Sequence, residues 1–445
     1  MLEVLANRTY RHLFLAQVVA LAGTGLTTVA LALLAYELAG DKAGAVLGTA
    51  LAIKMGAYVL VAPLAGAYVG RFDRRRLLIG LDAARFAVVL LLPWVDTVWH
   101  VYVLIFVLQS CSAAFTPAFQ ATIPEVLPRE EDYTTALSLS RLAYDLENLL
   151  SPALAAALLT LISFHGLFLG TAVGFLASAL LVVSVTLPRV RTDMSPRSVR
   201  DRLTRGLRVY LATPRLRGLL ALNLVAAAGG AMVIVNTVVI VRDGLGRGDR
   251  AVALALACYG AGSMAVALLL PRLLRGYSDR TAMLSGAVAL IATLAGLAAL
   301  WPLPENGAVA WGTLLGAWLV LGAGYAALVT PGGRLLRRSA DEAQRPALFV
   351  AQFSLSHLCW LLTYPLVGWL GVFADLGASL WAMAAVATAG TLLAWRLWPR
   401  SDPEVIEHAH DDLPADHPHV AGDMTYPRHA HTFVLDDLHT RWPSR

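Results

Sequence analysis

A succession of about twelve apolar segments, each close to the 20 residues that a membrane-spanning helix needs, constrains this chain more than any other feature. Hydrophobic residues make up 58% of the 445 residues and charged residues 15%, which leaves too little polar surface to cover a water-soluble globule of this length. We therefore predict an all-α integral membrane protein with twelve transmembrane helices. The spans are predicted at 12–38, 44–69, 77–95, 101–123, 137–162, 164–187, 218–241, 251–271, 281–301, 308–331, 347–371 and 376–398.

The distribution of basic residues predicts the orientation of these spans. If the N-terminus is cytoplasmic, nearly all the arginine falls in cytoplasmic connections, and the other side receives only Lys42, Arg242, Arg247 and Arg250. The positive-inside rule then places both termini in the cytoplasm, at a bacterial-type inner membrane. The net charge of +5 sits in short loops, so it indicates topology and not a nucleic-acid partner.

The longest interruption between apolar segments divides the chain into domains. We predict an N-terminal bundle of six helices at 1–188, a cytoplasmic linker at 189–217, a C-terminal bundle of six at 218–398, and a cytoplasmic tail at 399–445. Within the linker, the stretch 201–210 is expected to form a short helix on the membrane surface.

Two connections carry a similar sequence. Residues 70–74 read Gly-Arg-Phe-Asp-Arg and residues 276–280 read Gly-Tyr-Ser-Asp-Arg, 206 positions later. One follows the second predicted span and the other follows the eighth, which is the corresponding place in each half. This indicates an internal duplication.

On these residues the chain resembles the major facilitator superfamily, over residues 1 to about 398. The stretch 66–76 looks like that superfamily's loop motif between spans two and three, a glycine-led turn followed by a basic run. The resemblance implies two pseudo-symmetric bundles that rock about a central site. It assigns gating roles to Gly66, Arg71, Asp73, Arg74, Asp279 and Arg280. The usual acidic residue of the motif is Gly70 here, so latching of the outward-facing state must rely on Asp73 or Asp279, or be looser.

Two spans bear on the direction and coupling of transport under this resemblance. Pro152 in the fifth span sits where exporters of the family often carry a glycine-proline break, which favours export. The fourth span lacks the membrane-embedded arginine of many proton antiporters and offers Gln109 instead. Protons are a candidate coupling ion.

Charged and polar side chains at mid-span are the candidates for the central site. A charge near the middle of the bilayer costs at least about 2.5 kcal/mol, so Lys54 is expected to face the cavity with a carboxylate partner. Asp145 and Glu147 in the fifth span cannot share a helical face, so one can face the central cavity while the other packs against a neighbouring helix or reaches the interface. Gln109 and His357 complete the candidates for substrate or proton binding, with a hydrogen-bonded structural role as the alternative for His357.

The tail is the second informative feature, because it holds seven of the eleven histidines. Six of them form three His-x-His pairs: His408 and His410, His417 and His419, and His429 and His431. In an extended strand residues i and i+2 point to the same side, so each pair presents two imidazoles to one ion. Imidazole with the interleaved aspartates suits nickel, cobalt, zinc or copper. The alternative is a polar segment that docks a partner.

Joined to the spans, this tail makes the chain similar to the nickel-resistance exporters of the superfamily, some of which end in a histidine-rich cytoplasmic tail. The resemblance implies a secondary exporter of divalent nickel and cobalt, with metal on the tail and no required cofactor. Efflux of a small organic amphiphile, such as a drug, macrolide or siderophore, is the alternative, and a non-transporting metal sensor ranks last. A cavity with Trp360, Phe115, Tyr259 and Tyr325 would favour the amphiphile, and converging Asp145, Glu147, Lys54 or His357 would favour an ion.

The expected partners follow from the same reasoning. They are the lipid bilayer and a small solute or metal ion, with the chain acting as a monomer. The sequence carries neither a nucleotide-binding loop nor a nucleophile and base arrangement, so we do not expect an enzyme.

Overall fold

The chain is helical apart from its connections and two short strands. The computed structural model describes residues 2–68, 72–129, 132, 135–136, 139–140, 143, 147, 151, 154–187, 199–274, 276–302, 307–340, 344–409, 428–435, 438–439 and 442–443. The helices are α1 (Leu2–Ala6), α2 (Arg8–Ala39), α3 (Ala43–Tyr68), α4 (Arg74–Leu91), α5 (Val98–Val126), α6 (Phe164–Val183), α7 (Val199–Ala212), α8 (Pro214–Val239), α9 (Asp249–Leu273), α10 (Asp279–Ala299), α11 (Gly307–Val329), α12 (Gly332–Arg338), α13 (Arg345–Phe373) and α14 (Leu376–Leu397). The strands are β1 (Val405–Ala409) and β2 (Arg428–Thr432).

The predicted spans correspond to the long helices. Eleven of them fall on α2–α6, α8–α11, α13 and α14. Ten stretches of the described residues are long and apolar enough to cross a membrane, and one of these, Arg8–Ala65, covers both α2 and α3. The fifth span lies partly outside the described residues, and those of it that are described are helical as far as residue 158. The all-α membrane fold class is confirmed.

The linker contains the expected helix, and the next helix begins earlier than predicted. Helix α7 lies against α13, where Tyr210 donates a hydrogen bond of 2.5 Å to Gln352. Helix α8 begins at Pro214 and not at residue 218, because proline has no N–H to lose at the first helical position. The domain boundaries at 188 and 217 stay predictions.

Most helix packing occurs within two sets of helices. In the first set α2 packs against α6, α3 against α5, and α4 against both α5 and α6. In the second set α8 packs against α13 and α14, α9 against α11, and α10 against α11 and α14. Large apolar side chains such as Leu161, Leu268 and Phe373 point outward, as expected for surfaces that contact lipid.

Helices α3 and α13 join the two sets, and they cross at glycines. Gly44 and Gly48 lie four residues apart on α3, and Gly368 of α13 faces them. A Cβ atom on Gly48 would lie 2.5 Å from the carbonyl oxygen of Tyr364, and one on Gly368 would overlap the backbone of Gly44. Small residues at this spacing let two transmembrane backbones approach closely and gain van der Waals contact.

We define two ends of the bundle. The tail face carries the connections at 72–73 and 276–278, and the far face carries those at 95–97 and 245–248. Polar contacts join the two sets at the far face. Tyr36 at the end of α2 donates a hydrogen bond to Asp243, and Arg250 of α9 donates to the carbonyls of Leu159 (3.3 Å) and Thr160 (3.0 Å). These contacts link the two sets of helices at the far face.

Candidate functional site

The central charged residues are Lys54 of α3 and Glu147 of the fifth span. Both side chains are half-buried among the helices. The carboxylate of Glu147 lies close enough to the ammonium of Lys54 for the two charges to attract each other. Asp145, the alternative carboxylate, lies outside the described residues.

Gly25 of α2 brings the fifth span to this position. A Cβ atom at Gly25 would overlap the Ser151 side chain and would lie 3.2 Å from Oε1 of Glu147. The absence of a side chain at Gly25 therefore makes room for Ser151 and for the carboxylate of Glu147 against α2. The cost of burying two charges is reduced when each has the other as a partner.

Aromatic rings of three helices in the second set contact one another and form an aromatic wall. The ring centroids of Tyr259 (α9) and Tyr325 (α11) are 5.9 Å apart, those of Tyr325 and Trp360 (α13) 6.2 Å, and those of Trp360 and Tyr364 5.0 Å. Gly230 of α8 makes room for Trp360, since a Cβ atom there would overlap the indole ring. Sequence reasoning missed Tyr364, although its position four residues after Trp360 on one helical face was a usable signal.

Phe115, which the sequence analysis grouped with these aromatic residues, instead contacts residues of the first set. Its ring lies 6.0 Å from that of Phe119 and 4.2 Å from the guanidinium of Arg85. Arg85 pairs with the fully buried Asp82, whose other oxygen accepts a hydrogen bond of 2.7 Å from Ser178. Phe115 thus packs against an ion pair of the first set.

His357 and Gln109 occupy different surroundings. Nδ1 of His357 lies 2.6 Å from the carbonyl oxygen of Phe353 and, since a carbonyl only accepts, donates to it. The imidazole centroid is 4.0 Å from the Phe353 ring and 5.1 Å from the Tyr58 ring of α3. Gln109 is 4% exposed. His357 therefore sits in an aromatic contact between α3 and α13, and the ligand roles of both residues stay predictions.

The loop motif of the first set forms contacts within that set. Asp73 caps α4 by accepting a hydrogen bond of 2.8 Å from the backbone N–H of Arg76. Arg74 pairs with Glu125 at the end of α5, and burial raises the pKa of Glu125 while Arg74 opposes that rise. Gly66 lies in α3. Arg71 and Pro152 lie outside the described residues.

The related loop of the second set uses its aspartate differently. Asp279 is 3% exposed and pairs with Arg334 (2.5 Å) and Arg338 (3.2 Å), on the helix that follows α11. Arg280 donates hydrogen bonds to two carbonyl oxygens at the end of α14, those of Trp395 (3.3 Å) and Trp398 (3.0 Å). In the described part of both loops, these contacts stay within one set of helices.

The tail folds back as an antiparallel ribbon. Strands β1 and β2 pair His408 with His429 and Ile406 with His431. The nitrogens of His408, His431 and His439 lie within 4.8 Å of one another. His410, His417, His419 and the side chain of His429 lie outside the described residues. The described cluster therefore combines histidines from two predicted pairs with His439, which the pairing argument omitted.

Comparison with known proteins identifies the family. A family model described as Major Facilitator Superfamily matches residues 13–312. The chain belongs to this superfamily. Its membership makes the chain a multi-pass membrane protein, and places it in a group of transporter folds, not enzymes.

Curated relatives match over part of their length. The uncharacterized MFS-type transporter YfiS of Bacillus subtilis (strain 168) is 32% identical over 132 residues, which cover 29% of this chain and 31% of the relative. Macrolide efflux protein A of Streptococcus pyogenes is 26% identical over 195 residues, which cover 42% of this chain and 47% of the relative. The chain thus spans about a third of the length of YfiS and about half of the length of macrolide efflux protein A.

Solved structures share the fold over nearly the whole chain. The nucleoside transporter NupG superposes with a TM-score of 0.66 at 14% identity and covers 88% of this chain and 100% of its own. A bacterial homolog of the human lysosomal transporter Spinster, in an inward-facing and occupied conformation, gives a TM-score of 0.67 at 11% identity and covers 87% and 96%. At these identities the likeness establishes the fold alone.

Proposed function

We propose that this member of the Major Facilitator Superfamily is a secondary transporter that exports a small organic amphiphile carrying a protonated amine. The observation that carries the proposal is the chain of contacting aromatic rings formed by Tyr259, Tyr325 and Trp360, which is the feature that favours an amphiphile over an ion. Aromatic faces attract both apolar groups and cations. The Glu147 carboxylate would neutralise the amine, which would otherwise be buried without a partner.

The export cycle follows from the geometry of the two faces. Hydrogen bonds link the two sets at the far face, so a solute would enter between the sets from the tail face. The basic residues favour a cytoplasmic tail face in a bacterial-type inner membrane. Opening of the far face would then release the solute outside, and a proton arriving on Glu147 would return the site to its starting charge. The macrolide efflux relatives support an organic substrate.

Divalent nickel, favoured by the sequence, becomes the second candidate. The observation in its favour is the histidine cluster of the tail. Among the described residues, that cluster is the one group of three or more metal-binding side chains, and it lies outside the spans. A membrane site for nickel would need three or more such ligands near Lys54 and Glu147.

Transport into everted membrane vesicles tests the proposal. Radiolabelled erythromycin and radiolabelled nickel would be offered to vesicles with the wild-type chain, Glu147→Gln, Glu37→Gln and no transporter, with a proton gradient imposed. We expect erythromycin uptake by the wild type and a loss of about tenfold or more in Glu147→Gln, since a charge-assisted contact contributes about 1.5–3 kcal/mol. Glu37 is a matched control because its side chain is half exposed at the far face.

The outcomes separate the candidates. Uptake of nickel without erythromycin would favour the metal exporter and overturn the amphiphile. Equal erythromycin uptake by vesicles with the wild-type protein and by vesicles without it would contradict the proposal that the chain exports amphiphiles of this kind.

A further inference from the structure

The tail ribbon contains a second site, distinct from the membrane cavity. We propose that His408, His431 and His439 bind one transition-metal ion, and that this ion holds the tail folded against the tail face of the second set of helices. The inference does not depend on what the spans transport.

The backbone brings these residues together in a way that sequence spacing does not show. In the observed register, His408 lies opposite His429 and diagonally across from His431, so both ligands share one face of the ribbon. His439 arrives from the segment that follows β2. Nε2 of His408 and Nε2 of His439 are 3.0 Å apart. Two nitrogens that bind one tetrahedral ion at 2.0–2.1 Å are about 3.3 Å apart, so little movement is needed.

Hydrogen bonds to the backbone set the ring nitrogens for coordination. Nδ1 of His408 is 3.0 Å from the carbonyl oxygen of Ile406, and Nδ1 of His431 is 2.8 Å from that of Thr432. Carbonyl oxygens only accept, so each Nδ1 carries the proton and each Nε2 presents its lone pair. Metal-binding histidines commonly have this second hydrogen bond, which fixes the ring and increases the basicity of the ligand nitrogen. On binding, His439 would move its proton from Nε2 to Nδ1.

The surroundings favour a transition metal over calcium or magnesium. The ring of Phe433 contacts His408 and His439 at centroid distances of 5.0 and 4.9 Å. His439 is 4% exposed and Phe433 is 2% exposed. Three imidazoles in a largely dry, apolar setting suit zinc, nickel, cobalt or copper, whereas calcium and magnesium prefer oxygen ligands.

Ion pairs attach the ribbon to the helices. Asp402 lies 3.4 Å from buried Arg215 at the start of α8, and Glu404 lies 2.6 Å from Arg338 at the end of α12. Arg338 also pairs with Asp279 of the second loop motif, at 3.2 Å. The base of the ribbon is thus connected to a loop that the family resemblance assigns to gating.

Metal is needed because the ribbon is small. A two-stranded sheet of five residues per strand is marginally stable in water without further support. An ion that binds β1, β2 and the segment with His439 would link three parts of the tail, and its binding energy would become folding energy. Docking of the tail should therefore depend on the metal.

Cobalt(II) binding to the purified full-length protein tests the site. The protein would be stripped of metal in detergent and titrated with Co²⁺, whose visible absorption reports tetrahedral coordination. We expect one strong site in the wild type and in the double variant His417→Ala/His419→Ala, and at least tenfold weaker binding in His439→Ala and in His439→Gln. Unchanged binding in both His439 variants, or loss in the His417/His419 variant alone, would overturn the three-histidine site in favour of His-x-His pairs.

A second measurement tests docking. Arg428 is exposed at the start of β2, so trypsin cleavage after it reports whether the ribbon is folded. Co²⁺ should slow this cleavage several-fold in the wild type and leave it unchanged in His439→Ala. Tight binding with no change in cleavage would overturn the docking part, and thermal unfolding of the helices would show that each variant remains folded.

Discussion

The two related loops at the tail face have the same sequence pattern and opposite electrostatics. In the first, a basic residue of the loop, Arg74, pairs with an acidic residue after the fourth span, Glu125. In the second, an acidic residue of the loop, Asp279, pairs with a basic residue after the tenth span, Arg334. The corresponding loops therefore contact corresponding parts of their sets with the charges exchanged.

The loops also share one contact. Arg75 of the first donates to the carbonyl of Val183 at the end of α6, and Arg280 of the second donates to Trp395 and Trp398 at the end of α14. An arginine at a helix C-terminus satisfies its last carbonyls and interacts favourably with its dipole. Both loops thus attach to the last helix of their own set, while their ion pairs differ in polarity.

The largest expected effect comes from forcing apart the far face, which would bring the loops into contact. Gly48→Val places side-chain atoms against the backbone of Tyr364, and overpacking of this kind costs about 1–3 kcal/mol. We expect about a tenfold rise in cross-linking between cysteines at Phe72 and Tyr277, both exposed in the loops. Gly56→Val is the control, because a Cβ atom there has no heavy atom within 4 Å. Equal cross-linking in both valine variants would contradict the inference that opening the far face brings the two loops of the tail face together.

The next effect concerns the two aspartates. Asp279→Asn would leave Arg334 and Arg338 without their shared carboxylate, at a cost of about 1–3 kcal/mol given their partial exposure. Asp73→Asn should be nearly neutral, because asparagine caps a helix as well as aspartate does. Thermal unfolding in detergent would compare them. The comparison fails if the two variants lose equal stability.

Exchanging the charges of the first loop tests whether the pair, and not its polarity, matters. Arg74→Glu and Glu125→Arg should each destabilise the first set, and the double variant should recover about 1–2 kcal/mol as coupling energy. The side chains are 11% and 18% exposed, so solvent screens the pair only partly. A double-mutant cycle on unfolding gives the coupling, and a value near zero would show that Arg74 and Glu125 are merely adjacent.

The sequence predicts the helices better than it predicts these pairings. Eleven spans follow from apolar length alone, because lipid demands about 20 apolar residues per crossing. The loop motif is also visible as a repeat. The partners of Asp279, however, lie 55 and 59 positions away in a short helix that no apolar pattern marks. His408 and His431 are brought together by the pairing of β1 with β2 and not by their spacing in the sequence. The spacing therefore predicted His-x-His pairs and not the observed cluster.

The second loop is connected to the tail by ion pairs, and this is a further difference between the two loops. Arg338 connects Glu404 of the tail to Asp279 of the second loop, and none of the ion pairs formed by the described residues connects the tail to the first loop. With the proposed metal bound at His408, His431 and His439, its removal by a chelator should therefore increase maleimide labelling of Tyr277→Cys several-fold and leave Phe72→Cys unchanged. Equal increases at both cysteines would indicate a general opening of the tail face.

The smallest effect should come from the contact that the two loops share. Arg75→Gln and Arg280→Gln remove a cation from the C-terminal end of α6 and α14, where such a charge contributes about 0.3–1 kcal/mol. Arg280 donates to two carbonyls and Arg75 to one, so Arg280→Gln should lower the unfolding temperature more. Lysine at each position separates the two contributions, because it restores the charge without the forked geometry of arginine. If lysine restores stability at 75 but not at 280, the first loop relies on charge and the second on paired hydrogen bonds. Full rescue by lysine at both positions would show that the positive charge alone accounts for the stabilisation that the two loops share.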